Sequence, residues 1–231
     1  MKYKKICVGE FLSRPNRFIA NVLVEGVCET VHVKNTGRCR ELLIPGCKVY
    51  LSVSDNPARK TKYDLIAVEK KKPAGTLLIN MDSQLPNDVV AMWLPESGLF
   101  SKNALICREY KYKNSRFDFY IEDGELKAFL EVKGVTLENN GVASFPDAPT
   151  ERGIKHINEL ISAVSEGYNA YIIFVIQMKT VSVFKPNDET HKAFGDALRK
   201  AKECGVNILA VDCQVKPDEM IIDEYVSVLL D

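Results

Sequence analysis

The order of helix, glycine and apolar strand near the middle of the chain constrains the fold more than any other feature. From Thr150 to Glu166, the residues Ile154, Ile157, Leu160, Ile161 and Val164 recur at helical spacing, and Gly167 supplies a stop. After Tyr168 comes Asn-Ala-Tyr-Ile-Ile-Phe-Val-Ile, apolar on both faces and therefore suited to the centre of a sheet. A second amphipathic helix over 190–204, then Gly205 and a buried strand over 206–213, follow in the same order. Upstream, 108–112, 116–121 and 128–132 read as strands, preceded by a short helix over 87–94 with Asn87 as its N-cap and Pro95 as its stop. The order β-β-β-α-β-α-β predicts a mixed α/β domain.

The first third reads differently. Strands over 18–26, 29–33, 47–53 and 63–69 are short and separated by turns, with a hairpin at Val24–Thr30. That spacing suggests a small barrel or sandwich, and a five-stranded barrel of the oligonucleotide-binding (OB) type is the natural size. Between the second and third strands, Asn35–Leu42 reads as a loop with a short helix. Lys70–Gly75 suits a linker or exposed loop, and 76–80 the start of something new. The expected architecture is therefore α/β (α+β): an OB-like barrel over 1–82 and a mixed α/β domain over 83–231.

Charge follows the same division. Residues 1–82 hold 15 Lys and Arg against 8 Asp and Glu, the remainder 16 against 23. A basic first segment suits phosphate binding, although a solvated surface also accommodates it. The seven cysteines are scattered with no CxxC pair, which favours reduced thiols over a disulfide framework or a zinc site. No apolar run is long enough to span a bilayer, and the N-terminus carries no secretory signal pattern, so a cytoplasmic protein with no membrane partner is expected.

The sharpest chemical suggestion is the segment from Asp118 to Lys133. Asp118 lies on one strand, Glu122-Asp123-Gly124-Glu125 is a turn signal, and Glu131 and Lys133 share one face of the next strand. An antiparallel hairpin would bring Asp118 near Glu131. Two converging carboxylates repel unless a cation lies between them, and Mg²⁺ prefers such hard oxygen ligands. Lys133 could then orient or deprotonate a water, or steady charge on a phosphate. The plain alternative is an edge hairpin with a solvated acidic face.

That order of strand, Asp, turn, Glu-x-Lys, helix and buried strand resembles the core of the PD-(D/E)xK nucleases. The resemblance sharpens in Glu131-Val132-Lys133-Gly134-Val135-Thr136-Leu137, in the block from Phe145-Pro146-Asp147-Ala148 to Glu159-Leu160, in Asn35-Thr36-Gly37-Arg38 and in Asn114–Phe119. Over essentially its whole length the chain is similar to the sugar fermentation stimulation protein A family. The resemblance implies an N-terminal OB-fold, a nuclease-like C-terminal domain and DNA binding with little sequence preference. It also implies Asp118, Glu131 and Lys133 as the signature residues, with Mg²⁺ or Mn²⁺ held by the acids. Glu109, on the preceding strand, is a candidate third acid; the superfamily often supplies one from an early helix, and 87–94 contains no Glu. The implied activity is phosphodiester cleavage. The alternative is a non-catalytic DNA-binding regulator of sugar (maltose) metabolism that keeps the nuclease fold.

Two further groups could serve DNA. On helix 150–166, Arg152, Lys155, His156 and Glu159 lie near one face; Arg152 and Lys155 could clamp phosphate and His156 could shuttle a proton. Internal pairs, Glu151–Lys155 and Lys155–Glu159, are the competing account. In the barrel, Arg14, Arg17 and Phe18 combine guanidinium groups with a stackable ring, and Arg38 and Arg40 add charge. Phe18 could equally be core. Arg116 joins these groups as a phosphate contact on the hairpin itself. Nothing in the sequence sets the oligomeric state, and a homodimer is one option.

Overall fold

The computed structural model describes all residues except Thr36 and Ala74. The expected loop at 35–42 and the expected linker at 70–75 each contain one of these two residues, and those two positions lie outside the described residues.

Six strands form the first sheet: β1 (Ile6–Asn16), β2 (Ile19–Val24), β3 (Val27–Val33), β4 (Lys48–Val53), β5 (Tyr63–Lys72) and β6 (Gly75–Asn80). Their order is β3-β2-β1-β4-β5-β6, and a short parallel pairing of β3 with β5 closes the barrel at His32–Asp64 and Val33–Leu65. At this seam Asp64 accepts from the Arg59 guanidinium at 2.6 and 2.8 Å and lies 2.9 Å from the His32 ring. The β2–β3 return uses Glu25 and Gly26, both at positive φ, as a two-residue turn matched to strand twist requires.

Two expectations change here. Lys70–Gly75 is not a linker: β5 runs to Lys72 and returns through a hairpin into β6, which extends the same sheet. The described residues of Asn35–Leu42 form bends and a turn rather than a helix. Lys70 and Lys72 instead reach the buried Glu138 carboxylate of the second unit, at 2.9 and 2.6 Å.

Helix α1 (Leu85–Trp93) starts two residues before its expected cap, because Pro86 suits its first turn and Asp82 Oδ1 takes the Gln84 N–H at 3.0 Å. Asn87 therefore lies inside the helix, with its side chain turned elsewhere. The chain continues through β7 (Leu105–Tyr112), β8 (Ser115–Asp123), β9 (Leu126–Val135), β10 (Leu137–Asn139), β11 (Val142–Phe145), α2 (Glu151–Ser165), β12 (Asn169–Ile176), β13 (Val183–Pro186), α3 (Asp188–Glu203), β14 (Asn207–Lys216), β15 (Glu219–Tyr225) and β16 (Ser227–Val228).

The main sheet has the order β15-β14-β12-β9-β8-β7, with β9, β12 and β14 parallel. Both faces of β12 are buried, as its apolar run requires. Leu85, Val89 and Val90 of α1 pack on one face with Leu130, Val132 and Ile173. Ile157 and Leu160 of α2 and Phe194 and Leu198 of α3 pack on the other, in a core continuous with the barrel interior. A small sheet, β10-β11-β13-β16, lies beside them.

Candidate metal centre and its basic surroundings

The β8–β9 hairpin turns through Gly124 and Glu125, with Gly124 at positive φ, and pairs Asp123 with Leu126 up to Phe119 with Leu130. One step further the register sets Asp118 opposite Glu131, and there the regular pairing stops. Asp118 Oδ2 takes the Val132 N–H at 2.7 Å, replacing a ladder bond with a side-chain bond. Its Oδ1 accepts from Asn87 Nδ2 at 2.7 Å, so α1 contributes directly to the site. The expected convergence of Asp118 with Glu131-x-Lys133 is present.

Glu131 is 3% exposed, which rules out a solvated acidic face. Its Oε1 accepts from Lys133 Nζ and faces His156 Nδ1. Its Oε2 is buried and has no partner. Arg152 Nε lies 3.4 Å from His156 Nε2; with that nitrogen accepting, the ring proton sits on Nδ1 and points at Glu131.

The two acids are driven apart electrostatically. Burial and then the Glu131 charge push the Asp118 carboxyl up to about 6. Burial also works against Glu131, but Lys133 and His156 outweigh it and hold that carboxyl below its ordinary value. Glu131 is thus the first of the two to ionise as pH rises, and Asp118, ionised last, carries the strain of the pair.

The structure does not bring Glu109 into this group. Its side chain is exposed and pairs with Arg116 at 2.8 Å, and its backbone adopts φ 57° in mid-strand. Among the described residues the only three-acid cluster close enough for one cation is Asp212, Asp223 and Glu224. Lys179 already fills it, 2.9 Å from Asp212, 2.5 Å from Asp223 and 3.1 Å from Glu224.

Two basic surfaces flank the centre. Glu109, Arg116, Arg152, Lys155 and His156 line a groove of 830 Å³. Of the internal helix pairs, Lys155–Glu159 is present at 3.9 Å, but Glu151 pairs with His191 at 3.4 Å instead. On the barrel, Arg14, Arg17, Arg38 and Arg40 line a cleft of 490 Å³ that reaches Ala148 before α2. Phe18 is 46% exposed and so is not core; the Arg17 guanidinium lies 5.0 Å from its ring centre. Arg14 serves as a strut, its terminal nitrogens donating at 2.7 Å to the carbonyls of Arg17, Asn35 and Arg38.

Asn87 is the site residue that sequence reasoning placed wrongly, as a helix cap. Only the α1 packing reveals its contact with Asp118. Buried His156 was legible as a polar helix residue but not as the partner of Glu131.

The comparisons with known proteins bear on both halves of this arrangement. Residues 84–219 match the family model described as the sugar fermentation stimulation protein RE domain, and residues 12–79 the SfsA N-terminal OB domain. The chain belongs to the sugar fermentation stimulation protein (SfsA) family. A sugar fermentation stimulation protein homolog from Clostridium beijerinckii is 59% identical over the full length of both chains. One from Ruminiclostridium cellulolyticum is 58% identical, again over both full lengths. A solved structure described as Pyrococcus furiosus SfsA in complex with Ca²⁺ superposes with a TM-score of 0.85 at 29% identity, covering 99% of this chain and 98% of that one. The SfsA family thus accounts for the N-terminal OB domain and the C-terminal α/β domain. No helix is long and apolar enough to cross a membrane among the described residues.

Proposed function

We propose that this SfsA protein is a divalent-metal-dependent DNA nuclease with little sequence preference, acting in the cytoplasm. The observation that carries the reading is the buried Oε2 of Glu131, unpartnered among the described residues, beside the half-buried Asp118 carboxyl. An orphaned anionic oxygen in such a place is costly unless a cation meets it, so the donor set fits a hard divalent ion. Asp118 and Glu131 would hold it. The relative described as a Ca²⁺ complex supports an ion of this class. Mg²⁺ or Mn²⁺ would supply Lewis acidity toward a phosphoryl oxygen and a more acidic bound water.

The remaining work falls to the chain's own side chains. Asn87 and the Val132 N–H fix the Asp118 carboxylate in position. His156 and Lys133 hold Glu131 ionised. Lys133, 15% exposed, is the cation placed to steady phosphate charge or orient a water. Arg152, Lys155 and Arg116 on the adjoining groove would hold the sugar-phosphate backbone.

The test is incubation of purified protein with Mg²⁺ or Mn²⁺ and duplex, single-stranded and branched DNA. Cleavage of at least one, abolished by Asp118→Ala and by Lys133→Ala with most binding retained, is the expected result. Binding without cleavage under any of these conditions would replace this reading with a non-catalytic regulator of sugar metabolism.

A further inference from the structure

The two basic surfaces differ in a way that specifies the substrate. On the barrel, Arg17, Arg38 and Arg40 have no acidic group within 4.0 Å among the described residues, and the exposed Phe18 ring stands beside Arg17. In the groove beside the metal centre the cations are partly neutralised: Arg116 by Glu109 at 2.8 Å, Lys113 by Glu166, Lys155 by Glu159 at 3.9 Å. The groove lining contains no aromatic ring except the His156 imidazole.

These surfaces suit different forms of nucleic acid. An unpaired strand offers base faces for stacking, and a ring flanked by guanidinium groups is the matching platform. A duplex hides its base faces and offers mainly phosphates, which a ring-free basic groove accepts. A polar cavity extends from the cleft toward the metal centre. Gly37 lines both the arginine cleft and a small cavity of 160 Å³, and that cavity also reaches Gly134, the residue after Lys133. Any Cβ at Gly37 would run into the Asp147 carboxylate and the Asn35 side chain, so glycine permits the barrel loop to close on the segment before α2.

We infer that the substrate is DNA at a junction of paired and unpaired segments. The duplex arm lies along the groove over Arg116, Arg152 and Lys155. The unpaired arm runs on to the barrel cleft over Arg38 and Arg40 and stacks on Phe18 beside Arg17. This assignment rests on the nuclease reading for its metal centre, but its test does not require cleavage.

The experiment is fluorescence anisotropy with the full-length protein in EDTA, comparing a forked duplex, a blunt duplex of the same paired sequence and the free single strand. The fork binds about tenfold more tightly than either simpler DNA, since one stacked base contributes about that much. Phe18→Ala removes most of that advantage and changes blunt-duplex binding less than twofold. Arg40→Ala, a second exposed position, weakens the fork more than the blunt duplex. Equal affinity for fork and blunt duplex, or an equal loss for both on Phe18→Ala, overturns the inference. Fork preference without any Mg²⁺- or Mn²⁺-dependent cleavage sinks the nuclease reading alone. Metal-dependent cleavage with equal affinity for all three DNAs sinks this inference alone.

Discussion

The arginine cleft of the barrel and the hairpin centre of the α/β domain are opposite solutions to placing charge. In the cleft, Arg17, Arg38 and Arg40 stand at the surface on loops, without acidic partners among the described residues, while Arg14 on β1 is tied into the frame. In the centre, a buried and a half-buried acid meet within a sheet, nearly every polar atom has a partner, and one Glu131 oxygen is left over among the described residues. Exposed cations cost the fold little and remain available to a polyanion. Buried like charges cost the fold and are tolerated only where something compensates them. On the proposed function the cleft is a surface for affinity, and the centre a site that trades stability for chemistry.

Four variants would break or sharpen that contrast. The largest effect is expected at Lys133: Lys133→Ala lowers metal-dependent cleavage about a thousandfold, while DNA affinity in EDTA moves less than twofold. A comparable loss of affinity would mean the two surfaces are not functionally separate. Next, Arg38→Ala with Arg40→Ala should reduce the slope of log affinity against log salt by about 2. Unfolding stability in urea should stay within about 0.5 kcal/mol of the parent protein, as for exposed positions generally.

Glu138→Gln tests whether the two units depend on their buried clamp, and a loss of about 1–3 kcal/mol is expected from charge-assisted bonds. Burial raises the Glu138 carboxyl, but Lys72, the Gly141 N–H and Lys70 more than offset it, so its folded pKa lies below the ordinary value. A depressed acid stabilises above its unfolded pKa and loses that contribution as pH falls through the folded pKa. The difference between parent and variant should therefore be full at pH 7 and vanish in acid; a difference independent of pH would remove the clamp's electrostatic role.

The smallest effect carries the sharpest sign. Asp118→Asn removes the like-charge contact and should raise the melting temperature of metal-free protein, by about 1 kcal/mol in stability. The Asn87 amide can turn to face the new amide. The same variant should lose the stabilisation that Mg²⁺ or Mn²⁺ gives the parent. Destabilisation in EDTA would show that Asp118 is structural rather than strained.

Much of the site was legible because local rules govern it. A two-residue turn and strand alternation are enough to place Asp118 across from Glu131 and Lys133 on its face. The parts that escaped depend on distant packing. β1 is missed because bulges between Phe11 and Ser13 and between Ser13 and Asn16 interrupt its period. β13 and β16 run four and two residues and gain their partners from far along the chain, so no local signal marks them, whereas β10 and β11 form a local hairpin through Asn140-Gly141 whose strands are too short to show a period. Lys70 and Lys72 read as a solvated linker because Glu138, their partner, is more than sixty residues away.

By itself the sequence determined that an OB-like barrel precedes a mixed α/β domain, and that one hairpin carries an acid, an acid and a lysine. Periodicity and turn chemistry act over a few residues and suffice for that. Only the tertiary structure decided that Glu109 turns out to Arg116, that Asn87 reaches Asp118, and that His156 is buried against Glu131. Those outcomes follow from which helix packs on which face of the sheet, and from the desolvation that packing imposes on the charges it encloses.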